Sequence, residues 1–350
     1  MEPIGQGGNG VVFRAIQRPL GRDVAIKLLL GDARAGKNAL ERFAREAGLV
    51  QRLEHPNTVR LFDFGTTDEG LPFMVFELLR GRTLEEEVLT APLSAQRVGR
   101  VAEQVLKALM EAHALGIVHR DIKPSNVLLV DYAGEADFVK VLDFGIATPV
   151  DARGQAHRIT GAGQIVGTPA YMAPEQIHGG EVGPPADLYA LGLMMAEAIT
   201  GVPVFGDASP ARIWIQQSSP DPAPLSPAVL RSAFAAVIQR ATSKSIALRY
   251  PTAAAMLLDV EQVLAAGVAP THPLAPPVRG SVGDAAPSSA PATARMPESP
   301  QHLRAAPTSG PTPSRAPSTP GPVAPARTHS PSAPSAAAAI GPPRAPPSPI

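Results

Sequence analysis

The chain has 350 residues with 31 basic and 31 acidic side chains, so its formal net charge is zero and no overall basic field draws it to nucleic acid. It contains no cysteine, which excludes disulfides and thiolate metal sites. No apolar run reaches the roughly 18–20 residues that cross a bilayer, and Met1-Glu2-Pro3 does not open a signal peptide, so no membrane segment and a cytoplasmic location are expected.

Composition divides the chain in two. Of its 40 prolines, more than half fall after Gly267, where Phe, Tyr, Trp and Lys are absent and the only acidic residues are Asp284 and Glu298. Such a stretch cannot bury enough apolar area to offset roughly 1–2 kcal/mol of backbone entropy per residue. A disordered Pro/Ala-rich tail is therefore expected over 268–350, behind a folded domain over 1–267. Runs such as Pro331-Ser332-Ala333-Pro334 could dock aromatic grooves, which keeps a scaffold role for the tail open.

In chain order, Val11–Phe13 and Val24–Ile26 read as short strands around the turn Arg18–Arg22. Leu40, Phe43, Ala44, Ala47, Val50 and Leu53 recur at helical spacing over Lys37–Leu53, and His55-Pro56-Asn57 stops that helix. Val59–Phe64 and Phe73–Leu78 read as two more strands. Beyond Leu84 the pattern turns helical: Ser94 is the expected N-cap of a helix whose apolar face includes Val98, Val101, Val105, Leu109 and Leu115. Short strands are expected at Val127–Val130 and Phe138–Leu142, and helices at Pro185–Thr200, Pro227–Thr242 and Thr252–Ala265. The stretch 145–168 has no period and reads as a long functional loop. The expected organisation is a small β-rich lobe over about 1–78, a mainly helical lobe over about 79–267, then the tail.

Several segments carry chemistry. Gly5-Gln6-Gly7-Gly8-Asn9-Gly10 has the G-x-G-x-x-G spacing that lets backbone N–H groups approach phosphate oxygens. A dinucleotide site uses the same glycines before a helix, whereas here Val11-Val12-Phe13 predicts a strand. Val24-Ala25-Ile26-Lys27 ends an apolar strand on a lysine, which is either a snorkelling surface cation or a phosphate ligand held by a carboxylate. Glu46 and Glu41 on the next helix are the candidate partners, and at five residues apart they cannot both face Lys27. His119-Arg120-Asp121-Ile122-Lys123-Pro124-Ser125-Asn126 is followed seventeen residues later by Asp143-Phe144-Gly145. Asp121 can accept a hydroxyl proton, Asn126 and Asp143 are oxygen ligands suited to Mg²⁺, and Lys123 can neutralise a transferred phosphoryl group.

With these motifs in this order, the chain resembles a bacterial Hanks-type serine/threonine protein kinase over roughly residues 3–265. The resemblance implies a two-lobe α+β fold with ATP and Mg²⁺ in the cleft. It places Ile4, Gly5, Gly7 and Gly10 over the nucleotide and its phosphates. Lys27 would meet the α- and β-phosphates and pair with Glu46. Val12, Ala25 and Leu128 would sandwich the adenine, and the backbone from Glu77 to Leu79 would form the hinge beside it. Asp121, Lys123 and Lys27 would be catalytic, with Asn126 and Asp143 holding the metal. Gly167-Thr168-Pro169-Ala170-Tyr171-Met172-Ala173-Pro174-Glu175 resembles the end of an activation segment, Glu175 pairing with Arg249. Asp187 resembles the buried aspartate that holds the catalytic loop, although a carboxylate favoured at a helix N-terminus would look the same.

Ser/Thr specificity rests on Lys123 and Thr168, and the partners implied are protein Ser/Thr substrates, with self-association for autophosphorylation. A kinase with Arg120 before its catalytic aspartate commonly needs an anion there, which makes Thr160 the expected regulatory phosphosite. Departures from the pattern are Asn9 at the loop tip, a missing Asp-Pro before Arg249, and a start only four residues before Gly5, from which a truncated first strand is expected. A catalytically silent binding module is the rival reading, against which stand the intact Lys27, Glu46, Asp121, Asn126 and Asp143.

Overall fold

The structure, a computed structural model, describes residues 2–7, 10–29, 37–132, 134–144, 169–206 and 209–267. The expected tail over 268–350, Gly145, Thr160 and Thr168 lie outside the described residues.

The small lobe is an antiparallel sheet in the order β1-β2-β3-β5-β4, formed by β1 (Glu2–Gly7), β2 (Gly10–Gln17), β3 (Arg22–Leu28), β4 (Leu61–Thr66) and β5 (Pro72–Glu77). Strand β1 pairs with β2 from Glu2 opposite Arg14 to Gly7 opposite Gly10, with an irregularity between Pro3 and Gly5. Helix α1 (Lys37–Val50) lies on this sheet because Phe43, Ala47 and Val50 repeat at i, i+4 and i+7 and are all buried. Phe43 meets Phe64 of β4 edge-on at 6.2 Å. The helix ends at Val50, three residues before the expected Leu53, and Leu53 is buried from the turn that follows.

The large lobe contains α2 (Leu84–Thr90), α3 (Ala95–Ala114), α4 (Pro174–His178), α5 (Pro184–Thr200), α6 (Pro210–Ser218), α7 (Pro227–Leu230), α8 (Ala235–Ala241) and α9 (Ala253–Ala265). A small sheet of β6 (Gly81–Thr83), β7 (Val127–Tyr132) and β8 (Glu135–Val141) faces the cleft. Helix α5 is apolar on most of its circumference and buried from Ala186 to Ala198, Asp187 and Glu197 included. At Gly192 it passes so close to α8 that an added Cβ would lie 2.8 Å from the Ala241 side chain. Helix α3 starts at the expected cap, with Ser94 Oγ accepting from Arg97 N–H. Thr252 caps α9 in the same way, and α9 packs on α3.

Three helices were not anticipated: α2, α4 and α6. The expected helix over Pro227–Thr242 is instead two, α7 and α8. Ser232 lies at the break, where its hydroxyl donates to the Val229 carbonyl at 2.7 Å and competes with the continuing backbone ladder. One core cluster runs from Leu29 and Phe43 in the small lobe through α3 and α5 to Val260 on α9. The segment after α1 is tied to the large lobe as well as to the sheet. Glu111 on α3 accepts from the Glu54 and His55 N–H groups at 3.0 and 2.9 Å, and Asn57 Nδ2 donates to Val139 O at 2.8 Å. Among the described residues no helix is long and apolar enough to cross a membrane.

Candidate active site

Strand register sets the upper wall of the cleft. Val12 lies directly opposite Lys27, and Ala25 is two residues earlier on the same strand, so the three side chains share one face of the sheet. Gly10 begins β2 with φ 152°, and a Cβ there would stand 2.1 Å from the Leu28 carbonyl oxygen. The glycine is thus required by close strand packing at the loop's end, whatever else it does. Gly5 faces Val12 across the strand pair, Gly7 pairs with Gly10, and Ile4 is half-exposed.

Lys27 is nearly buried, and its Nζ lies 2.6 Å from Asp143 Oδ1. The expected ion pair between Lys27 and Glu46 is not made, because the ammonium has taken Asp143 instead. Of the two candidate partners on α1, Glu46 is half-buried and Glu41 is exposed. Burial pushes the Glu46 carboxyl above its ordinary value, and the strongest charge opposing that rise is Arg120.

The lower wall is the loop between α3 and β7. Asp121 is gripped by its neighbours: Lys123 Nζ lies 2.8 Å from its carboxylate, and Asn126 Nδ2 donates to its Oδ2 at 3.0 Å and its carbonyl at 2.8 Å. Asn126 sits in a 3-10 turn (Pro124–Asn126) and is buried, with its carbonyl accepting from Leu142 N–H. Its amide NH₂ is spent on Asp121, which leaves Oδ1 as the atom able to ligate a cation. Leu128, on β7, is half-buried and flanked in register by Thr83 and Lys140.

Two residues at the site's centre hold positive φ without being glycine, Arg120 at 67° and Asp143 at 54°. Asp187, buried in the first turn of α5, accepts from Arg120 N–H at 2.8 Å through Oδ1 and from His119 N–H at 2.9 Å through Oδ2. The His119 ring accepts from Asp121 N–H at Nδ1 and donates from Nε2 to the Leu142 carbonyl at 2.7 Å, which selects the Nε2–H tautomer. Phe144 packs against that ring with centroids 4.6 Å apart. The loop between α3 and β7 and the Asp143 strand end are therefore one hydrogen-bonded unit.

Other contacts were not foreseen. Glu77, expected to act through its backbone, also uses its carboxylate: Oε1 accepts from Lys140 Nζ at 2.7 Å and from Arg60 N–H at 2.9 Å. Leu79 follows it, half-buried. His113 on α3 adds a third hydrogen bond to Asp187 at 2.8 Å. Tyr171 donates to the buried Glu197. None of these pairs has a local spacing that would have announced it.

The donor set fits Mg²⁺. Among the described residues no group of three or more His, Asp or Glu side chains forms a cage. One amide oxygen and one carboxylate are instead the sparse protein share typical of an ion that keeps waters and substrate phosphates as ligands.

The sequence matches the family described as protein kinase domain over residues 1–244. The chain belongs to that family. Its relatives place it among bacterial Hanks-type serine/threonine kinases. It is 43% identical over 266 residues to the serine/threonine-protein kinase Pkn1 of Myxococcus xanthus, covering 75% of this chain and 37% of the relative. It is 37% identical over 270 residues to pkn3 of the same organism, covering 74% and 48%. PrkC of Bacillus subtilis is 37% identical over 262 residues, covering 74% and 39%. The chain thus spans less than half the length of these curated relatives. The solved kinase domain of Mycobacterium tuberculosis PknI shares the fold, with a TM-score of 0.59 at 24% identity, covering 75% of this chain and 94% of that one.

Proposed function

We propose that this kinase transfers the γ-phosphoryl group of Mg-ATP to serine and threonine hydroxyls of other proteins, and of its own chain during self-association. The observation that carries the reading is that Lys123 and Asn126 each lie within 3.0 Å of the Asp121 carboxylate on the lower wall, while Lys27 of the upper wall reaches Asp143 at 2.6 Å.

Asp121 accepts the proton of the incoming hydroxyl, and Lys123 beside it neutralises charge on the transferred group. Lys27, with the backbone of Gly5, Gly7 and Gly10, orients the phosphates. Val12, Ala25 and Leu128 hold the adenine ring, with Ile4 at its edge and the Glu77–Leu79 backbone alongside. Asn126 and Asp143 would hold Mg²⁺, which when bound neutralises the β- and γ-phosphate oxygens. The protein's share of the work is positioning and electrostatics, since this transfer needs little covalent help.

The test is Asp121→Asn in the full chain, assayed with γ-labelled ATP and a generic protein substrate. Transfer should vanish while calorimetric binding of a non-hydrolysable ATP analogue stays within about twofold. Transfer at the wild-type rate would remove Asp121 from the mechanism.

A further inference from the structure

We propose that Gln176, the first residue after the Ala173-Pro174-Glu175 motif, is a positioning residue for Asp121; the inference rests on the kinase reading above. Gln176 is buried at 4% exposure on α4, and both ends of its amide are used. Oε1 accepts from Ala173 N–H at 2.9 Å, and Nε2 donates to the Arg120 carbonyl at 2.9 Å, 56 residues earlier in the chain.

That carbonyl belongs to the peptide plane joining Arg120 to Asp121. The other polar end of the same plane, Asp121 N–H, donates to His119 Nδ1 at 3.3 Å. The plane is therefore pinned at both edges. The preceding plane is held by Asp187 through Arg120 N–H. Arg120 sits between the two at φ 67°, a conformation that is strained for a non-glycine residue and persists only where its surroundings over-determine it. Asp187 supplies the restraint on one side and Gln176 on the other.

Without the Gln176 donor, the Arg120 backbone can relax by turning the plane that carries the Asp121 Cα. The bonds from Lys123 and Asn126 would follow the carboxylate, because both partners lie on the same loop, and so would not restore its place in the cleft. A displacement of about 1 Å at a reacting group can cost on the order of a hundredfold in rate. The anchor of Gln176 is itself rigid: the adjacent Glu175 is locked to Arg249. Through Gln176, the end of the activation segment sets the geometry of the catalytic loop.

Gln176→Glu separates the two halves of the contact. It keeps an acceptor for Ala173 N–H but turns an oxygen toward the Arg120 carbonyl. Gln176→Met removes both bonds without adding charge. In the full chain, each variant should lower kcat at least tenfold while KM for ATP stays within about twofold, because the nucleotide's contacts on β2, β3 and the hinge are untouched. The melting midpoint reports folding. A kcat within twofold of wild type in either folded variant would overturn the proposal. So would a loss of kcat matched by a rise in KM for ATP and a fall in melting midpoint, or failure of both variants to fold, since each would make Gln176 scaffold only. An inactive wild-type chain would remove the kinase reading itself and this inference with it, whereas an active wild type beside unimpaired variants would remove only the inference.

Discussion

Arg249 and Glu175 lie 74 residues apart and meet as a forked ion pair, Nη1 to Oε1 at 2.7 Å and Nη2 to Oε2 at 2.9 Å, with side-chain exposures of 0% and 7%. The guanidinium also donates to the carbonyls of Ser243, Pro185 and Lys244 and lies over the Tyr189 ring. It joins α4, the start of α5 and the approach to α9.

Glu175→Ala leaves that guanidinium buried without its carboxylate. Removing one partner of a buried pair typically costs about 3–5 kcal/mol, so the urea midpoint should fall clearly. An unchanged midpoint would show that the surrounding carbonyls alone satisfy Arg249.

Lys27→Met should abolish phosphoryl transfer yet lower unfolding free energy by less than about 1 kcal/mol, because its partner Asp143 is 41% exposed and water takes over its solvation. Denaturation in the absence of nucleotide measures this. A large loss of stability would make Lys27 part of the scaffold.

Burial is the main cause raising the Glu197 carboxyl above its ordinary value of 4.5, assisted by the nearby Glu85 charge and opposed by the Tyr171 hydrogen bond. The folded state therefore holds this proton more tightly than the unfolded state. Its ionisation costs stability as pH rises from about 4.5 through the raised value, and the cost persists above it. Glu197→Gln retains an acceptor for Tyr171 and removes the charge. Relative to wild type, the variant should gain stability between pH 5 and pH 7.5. A pH-independent difference in urea midpoints would contradict the assignment.

Arg120 Nε is buried and has no hydrogen-bond partner among the described residues. A phosphate on Thr160 would bring about −1.5 to −2 charge and strong acceptor oxygens to such a group. Thr160→Ala is expected to lower activity at least tenfold, about 1.4 kcal/mol of barrier. Mass spectrometry finding Thr160 unmodified in active protein, with the alanine variant fully active, would refute it.

Much of the chain was legible one residue at a time. The strands β2, β3, β4 and β5, helices α1, α3, α5 and α9, and the cap Ser94 follow from local periodicity and capping. Helices α2 and α6 also carry local signals. Thr83 and Glu86 form a capping box through bonds of 3.2 and 2.8 Å, and Ser209-Pro210 is a cap followed by proline at the first helical position. Both helices are short, so their apolar periodicity is too brief to stand out.

The residue types of the site, Lys27, Asp121, Lys123, Asn126 and Asp143, were determined by the sequence itself, because motif spacing within one loop or strand end is a local property. Which groups pair across the cleft was decided only by the tertiary structure. Lys27 had two carboxylates on α1 as local candidates and took Asp143, more than a hundred residues away, because side-chain reach and burial in the folded cleft select the partner. The clamp of Gln176 on the Arg120 carbonyl, the bond of Glu77 to Lys140 and that of His113 to Asp187 are of the same kind. Each joins groups whose separation along the chain carries no period, and a hydrogen bond depends on distances that only packing sets.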